Sequence, residues 1–221
     1  MIKAIKNIDY IMLIALLLIV SVIVNIYALF KLNDYKYKIG QQSYIKIEDV
    51  KQRNESNMDI LSESIEKGSI KNEELLKLYK NYDVITSDII DLWQQYGAYT
   101  QNSLLIFSKK IETNKIMEND IHGKMKEYML SVLNREMKNE KSKLQLESEE
   151  LQSFKDMYEI SSRIYEYLNK FNEEILNGVT GEDKEKKVIK QHYWIDMLEG
   201  IYDISDDYVN LQWKIEATNI G

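Results

Sequence analysis

The stretch Tyr10-Ile-Met-Leu-Ile-Ala-Leu-Leu-Leu-Ile-Val-Ser-Val-Ile-Val-Asn-Ile-Tyr-Ala-Leu-Phe30 sets the reading of the whole chain. It contains no charge, no Gly and no Pro, and Asn25 is its only strongly polar side chain. At about 1.5 Å per helical residue it matches the roughly 30 Å hydrocarbon core of a bilayer. Tyr10 and Tyr27 stand where interfacial aromatics anchor a span, and Leu16, Val20, Val24 and Phe30 belong to its apolar wall. A cleaved signal has a shorter apolar region and a small-x-small cleavage site. Here the exit reads Asn25-Ile-Tyr-Ala-Leu-Phe-Lys31 and offers no such site. The stretch therefore reads as an uncleaved, single-pass signal anchor that contacts membrane lipid through residues 10–30.

The flanks pull in opposite directions. Lys3 and Lys6 precede the span, and Lys31, Lys36, Lys38 and Lys46 follow it, offset by Asp34. A positive-inside count favours a cytoplasmic C-terminal part. A basic tip before a long apolar run is the usual start of a signal anchor, and long domains cross regardless of charge. The reading leans to an extracytoplasmic domain at the cell membrane.

The formal net charge is -7, and residues 1–30 contribute +1 through Lys3, Lys6 and Asp9, leaving -8 on the remainder. Phosphate backbones need a basic face, so nucleic acid is not an expected partner. There is no Cys, hence no disulfide, thiolate nucleophile or Cys-ligated metal. There is no Pro, so long helices meet no obligatory breaker. The abundance of Ile, Asn and Lys matches the coding bias of an AT-rich, bacterial genome.

Beyond the span, residues 31–43 read as a juxtamembrane connector that is free to continue the anchor helix. Residues 44–221 read as one helical domain. The spacing predicts a helix over 44–67, stopped at Gly68-Ser69. A second is predicted over 72–98, with Asn72 as N-cap and Gly97 marking a turn. Its Leu75, Leu78, Tyr82, Ile85, Ile89, Leu92 and Tyr96 recur at alternating steps of three and four. A third helix is predicted over 103–138, with Phe107, Met125, Tyr128 and Val132 on its face. A fourth is predicted over 146–177, carried by Leu151, Phe154, Tyr158, Ser161, Tyr165 and Leu168. Whether these two are separate is left open by Lys138–Glu150, which has few apolar residues but no breaker. The loop Gly178-Val-Thr-Gly-Glu-Asp-Lys184 leads to a fifth helix over 183–217, with Trp194, Met197, Ile201, Ile204 and Tyr208 in register. No stretch alternates with period two for long enough to predict a strand. The expected fold is all-α: one transmembrane helix, then a bundle of four or five long antiparallel amphipathic helices with coiled-coil-like seams.

Chemistry is sparse. Two histidines stand four residues from a carboxylate, His122 after Glu118 and His192 before Asp196. A di-metal bundle needs Glu-x-x-His twice, so both read as surface histidines. Glu199, Asp203, Asp206 and Asp207, the glutamates 147, 149 and 150, and the run Glu182, Asp183 and Glu185 read as solvated acidic faces. No phosphate loop, nucleophile elbow or zinc motif is present. No catalytic residue, cofactor or metal is expected, and an enzyme is not the expected class.

Tyrosine is the unusual residue, with 16 against four Phe and three Trp. Most lie on or beside the helical stripes. They read either as the rim of a thin core or as an interaction surface, for which Tyr79, Tyr82, Trp93, Tyr96, Tyr165, Trp194 and Tyr208 are the candidates. The expected function is a membrane-anchored interaction or scaffolding module with a protein partner or a second copy. The alternative is an extracytoplasmic ligand-binding bundle that signals through a partner.

One span followed by amphipathic helices resembles the ligand-binding four-helix bundle of bacterial chemoreceptors. That resemblance implies an external domain and a second span, for which Leu211–Gly221 is too short and too polar. The layout is also similar to membrane-anchored septation regulators with spectrin-like cytoplasmic helices, which implies the opposite side. Both resemblances lie in the layout and not in a motif.

Overall fold

In the computed structural model, residues 2–101, 120–139 and 142–213 are described. The fold is all-α, with six helices and one two-stranded ribbon among the described residues. Helix α1 runs from Ile2 to Lys67. No Pro interrupts it and it runs on through Gly40, so the connector at 31–43 is helical as well. The chain forms two compact units, Met1–Ile39 and Gly40–Gly221.

In the first unit the described large apolar side chains from Tyr10 to Phe30 are 48–70% exposed. The helix is long and apolar enough to cross a membrane, with a mean hydropathy of 2.8 over its best 18 residues. Nothing in the unit covers that surface. At its C-terminal edge the Lys31 ammonium sits 5.8 Å from the Tyr27 ring centre.

The second unit begins with the remainder of α1. Ile47, Val50 and Leu61 are buried at helical spacing, and so are Ser43, Asn54, Asn57 and Ser64. Asn54 and Ser64 donate to their own helix, at Val50 O and Ile60 O, whereas Ser43 and Asn57 are matched across to α2 (Asn72–Gln101). Ser43 Oγ donates to Gln95 Oε1 at 2.5 Å, and Asn81 Nδ2 donates to Asn57 Oδ1 at 2.7 Å. Lys46 Nζ lies 2.7 Å from Asp88 and 2.8 Å from Asp91. Rising numbers on α1 meet falling numbers on α2, so the pair is antiparallel. Buried polar pairs of this kind fix register, because a slip would strand each group without a partner.

Helix α1 stops at Gly68, whose φ of 62° is accessible to Gly without strain. Strand β1 (Ser69–Lys71) then pairs antiparallel with β2 (Lys143–Gln145), Ile70 opposite Leu144. Both of those side chains are buried. The period-two analysis predicted no strand; three residues are too few to show an alternation. The same ribbon answers the question left open at Lys138–Glu150. Helix α3 (Ile121–Lys138) and helix α4 (Ser148–Glu174) are separate, with β2 between them.

Several boundaries differ from the expected ones. Helix α2 continues through Gly97 to Gln101, so Gly97 is not a turn. The N-terminal half of the third predicted helix lies outside the described residues. At Asp120 the chain is not helical: its Oδ1 accepts the Gly123 N–H at 2.8 Å and starts α3 afresh. Helix α4 ends at Glu174, three residues before the predicted 177, and Asn177 and Gly178 both take positive φ. Its buried stripe is rotated from the predicted one. Met157 and Ile160 join Phe154, Ser161, Leu168 and the expected Ile164 inside, while Tyr158 and Tyr165 sit at the rim. The predicted helix over 183–217 is two helices among the described residues, α5 (Gly181–Lys190) and α6 (Tyr193–Asp206). His192 breaks it with φ 59°, a left-handed conformation normally left to Gly or Asn.

The helices of this unit pack α2 on α3, α4 on α6 and α5 on α6. Leu75, Leu78, Tyr82, Ile85 and Leu92 of α2 and Ile121, Met125, Met129 and Val132 of α3 are buried where these two helices pack, and Tyr82 reaches Ser161 of α4. Each such Leu or Ile contributes about 1.5–3 kcal/mol by leaving water.

Candidate functional site

Between α2, the start of α3 and α6 lies a cavity of about 440 Å³. The three-four repeat of α2 runs Leu75, Leu78, Tyr82, Ile85, Ile89, Leu92, Tyr96, and all of these are buried except Ile89. Ile89 is the position where the seam opens onto the cavity, with Ile90 and Trp93 beside it. From α6 come Leu198, Ile201, Tyr202 and Ser205, the inner face at steps of three and four. Trp93 meets Tyr202 edge-on, with ring centres 5.6 Å apart and planes at 84°, and meets Tyr96 likewise at 5.9 Å. The walls are therefore apolar and aromatic.

Asp120 and His122 supply the polar side. The sequence placed His122 on the surface beside Glu118. It is instead 2% exposed, and neither ring nitrogen has a hydrogen-bond partner. Glu118 lies outside the described residues. Burial pushes the imidazole down to about 4, against the opposing pull of the Asp120 carboxylate. At neutral pH the ring is uncharged and holds one unused donor and one unused acceptor. Ser205 on the wall donates to its own helix at Ile201 O (2.8 Å) and is not poised as a nucleophile.

The signal for His122 was present in the sequence. His122, Met125, Met129, Val132 and Glu136 recur at steps of three and four, and all five are buried. An ionisable residue at each end of the stripe masked it. Glu136 Oε1 accepts from Arg135 Nε at 3.4 Å, and Arg135 Nη2 reaches Glu150 at 3.1 Å.

The seven candidate aromatics do not share one surface. Tyr82, Tyr96 and Trp194 are core residues, at most 3% exposed, and have no face to offer a partner. The Tyr82 phenol is raised by complete burial, with Ser161 Oγ 3.4 Å from its hydroxyl. Trp194 packs edge-on against Tyr99 at 5.6 Å. Tyr165 is half-buried, donating to Glu55 at 3.3 Å with the Lys51 ammonium over its ring. Tyr208 is tied to the α4 face: its hydroxyl donates to Glu159 at 2.6 Å and accepts from Arg163 Nη1 at 3.0 Å. Tyr79 is half-buried on α2. Trp93 alone of the seven lines the cavity.

Elsewhere the charges are largely spent on structure. Lys184, 7% exposed, donates to Glu48 at 2.7 Å and lies 5.8 Å from the Tyr44 ring centre, joining α5 to α1. Burial, with Glu48 and Glu185 nearby, pushes the Tyr44 phenol up to about 12. Asp203, Asp206 and Asp207 are exposed on α6 and just beyond it, and Asp207 accepts from Arg163 Nη2 at 2.7 Å. His192 is exposed, its ring 5.2 Å from that of Tyr99. Among the described residues no group of three or more His, Asp or Glu is placed to hold a metal.

No family model, curated protein or solved structure matches the chain.

Proposed function

We propose that this chain is a single-pass membrane protein whose helical domain is a non-catalytic interaction module. The observation that carries the proposal is the exposed apolar wall of residues 10–30 on the helix that leads into a well-packed domain. A patch of that size is not tolerated in water and is satisfied by lipid. Tethering raises the local concentration of the domain for a protein partner or a second copy. Leu76, Leu130, Met137 and Ile175, each at least 36% exposed, supply apolar contact points on the domain. The domain is assigned to the outer side, as a signal anchor implies. Cross-linking of the full chain in intact cells tests the module: a discrete cross-linked species is expected, and a chain that stays monomeric with no adduct contradicts it. Protease added to those cells digests the domain if it lies outside and spares it if it lies inside.

A second reading is favoured by the cavity. In this reading the domain is a sensory module that receives a small ligand beside His122 and passes the signal through a partner. A wall of Ile, Leu, Trp and Tyr with one convergent polar group is the usual make-up of a ligand site.

A further inference from the structure

We propose that the cavity between α2, α3 and α6 takes an uncharged, planar apolar molecule bearing one hydroxyl or amide group, and that His122 is the residue that recognises that group. The inference rests on the sensory reading and names the ligand class that it requires. Three observations carry it. The volume, about 440 Å³, admits a molecule of two or more fused rings. The walls give edge-on aromatic contacts from Trp93 and Tyr202 and aliphatic ones from Ile89, Leu198 and Ile201. His122 is buried with both nitrogens unpartnered, which is costly unless something completes them. A hydroxyl or amide can donate to the bare nitrogen or accept from the protonated one, so it pairs with a neutral imidazole whichever nitrogen it meets.

Charge is selected against in either sign. An anion would face the Asp120 carboxylate, which stands at the exposed rim. A cation would shed its water among isoleucines and leucines, with Asp120 committed in part to the Gly123 N–H. Asp120 therefore filters the entrance, and His122 reads the polar group inside.

The test uses the full chain in lipid nanodiscs with ¹⁵N-labelled histidine. The probes are 2-naphthol, 2-methylnaphthalene and 1-naphthylmethylamine, with free concentrations fixed by dialysis because lipid absorbs them. The His122 ring resonances report binding at the site. The expected result is that 2-naphthol binds at least about tenfold more tightly than 2-methylnaphthalene, the size of one neutral hydrogen bond. In His122→Leu, followed by Trp93 fluorescence, that preference should fall to within about twofold. Ile90→Trp, at the exposed mouth, should block both probes without touching His122. Equal binding of the two neutral probes, or tighter binding of the amine, overturns the ligand class and leaves the cavity as a binding site. If no probe shifts His122 in the unmodified chain, the sensory reading itself fails.

Discussion

Residues 10–30 and the domain from Gly40 onward use the same aliphatic side chains for opposite ends. Leu16, Leu17 and Leu18 are 58–62% exposed, whereas Leu75, Leu78 and Leu92 are fully buried. Residue type does not separate them; spacing does. In the first region apolar residues fill every side of the helix, so no polar face is left for water, the pattern that the proposed span requires. In the second they recur every three or four positions and leave a polar face. That arrangement lets helices bury a stripe against one another in water. Polar groups inside the two regions are handled differently as well. Residues 10–30 hold Asn25 as their only strongly polar side chain, while the domain buries Asn54, Asn57, Asn81 and His122 and completes some of them by pairing.

The comparison breaks most visibly where charge enters the span. Leu17→Arg with Val20→Arg places two guanidinium groups near the bilayer centre, at about 2.5–3.5 kcal/mol each. The doubly substituted chain is expected to lose its flotation with membranes on a density gradient. The same pair of substitutions in the domain would act through folding instead, so the two regions are told apart by which assay responds.

In the domain the largest single loss is expected at Trp194, which is completely buried against Tyr99. Trp194→Ala should cost about 3–5 kcal/mol, read as a lower urea midpoint at unchanged slope. Next comes pH. His122 takes up its proton near 6.5 when unfolded and near 4 when folded. Between those values the unfolded chain binds more protons, so stability is full at neutral pH and is lost as pH falls from 6.5 towards 4. The loss amounts to roughly 3 kcal/mol. His122→Leu should remove that part of the pH dependence, and the difference between the two proteins isolates it from the carboxylates, Asp120 included. A smaller effect is expected at Gly200. A methyl there runs into the tip of the Tyr167 ring, whose hydroxyl donates to Asp196 O at 2.8 Å. Gly200→Ala should displace that ring and cost about 1–3 kcal/mol by thermal melting.

The long helices were legible because their repeats are dense. The seam of α2 could be written from sequence alone, and the apolar N-terminal helix stood out by length and uniformity. What escaped has local physical causes. The ribbon of Ile70 and Leu144 is too short to show a period. The break between α5 and α6 is made by His192 in a left-handed conformation, with no Gly or Pro to announce it. The stripe of α4 is so wide that Tyr158 and Tyr165 passed for core, while Met157 and Ile160 took those places. The cavity was the least legible, since it needs Ile89, His122 and Ile201 from three distant segments. Only the spacing of His122 to Met125 and Met129 pointed inward.

The tether is the claim on which the rest depends. Alkaline carbonate extraction of cell membranes, applied to the intact chain and to one lacking residues 10–30, tests it directly. The intact chain is expected in the membrane pellet and the shortened one in the supernatant. Release of the intact chain as a soluble species under the same extraction would contradict the account.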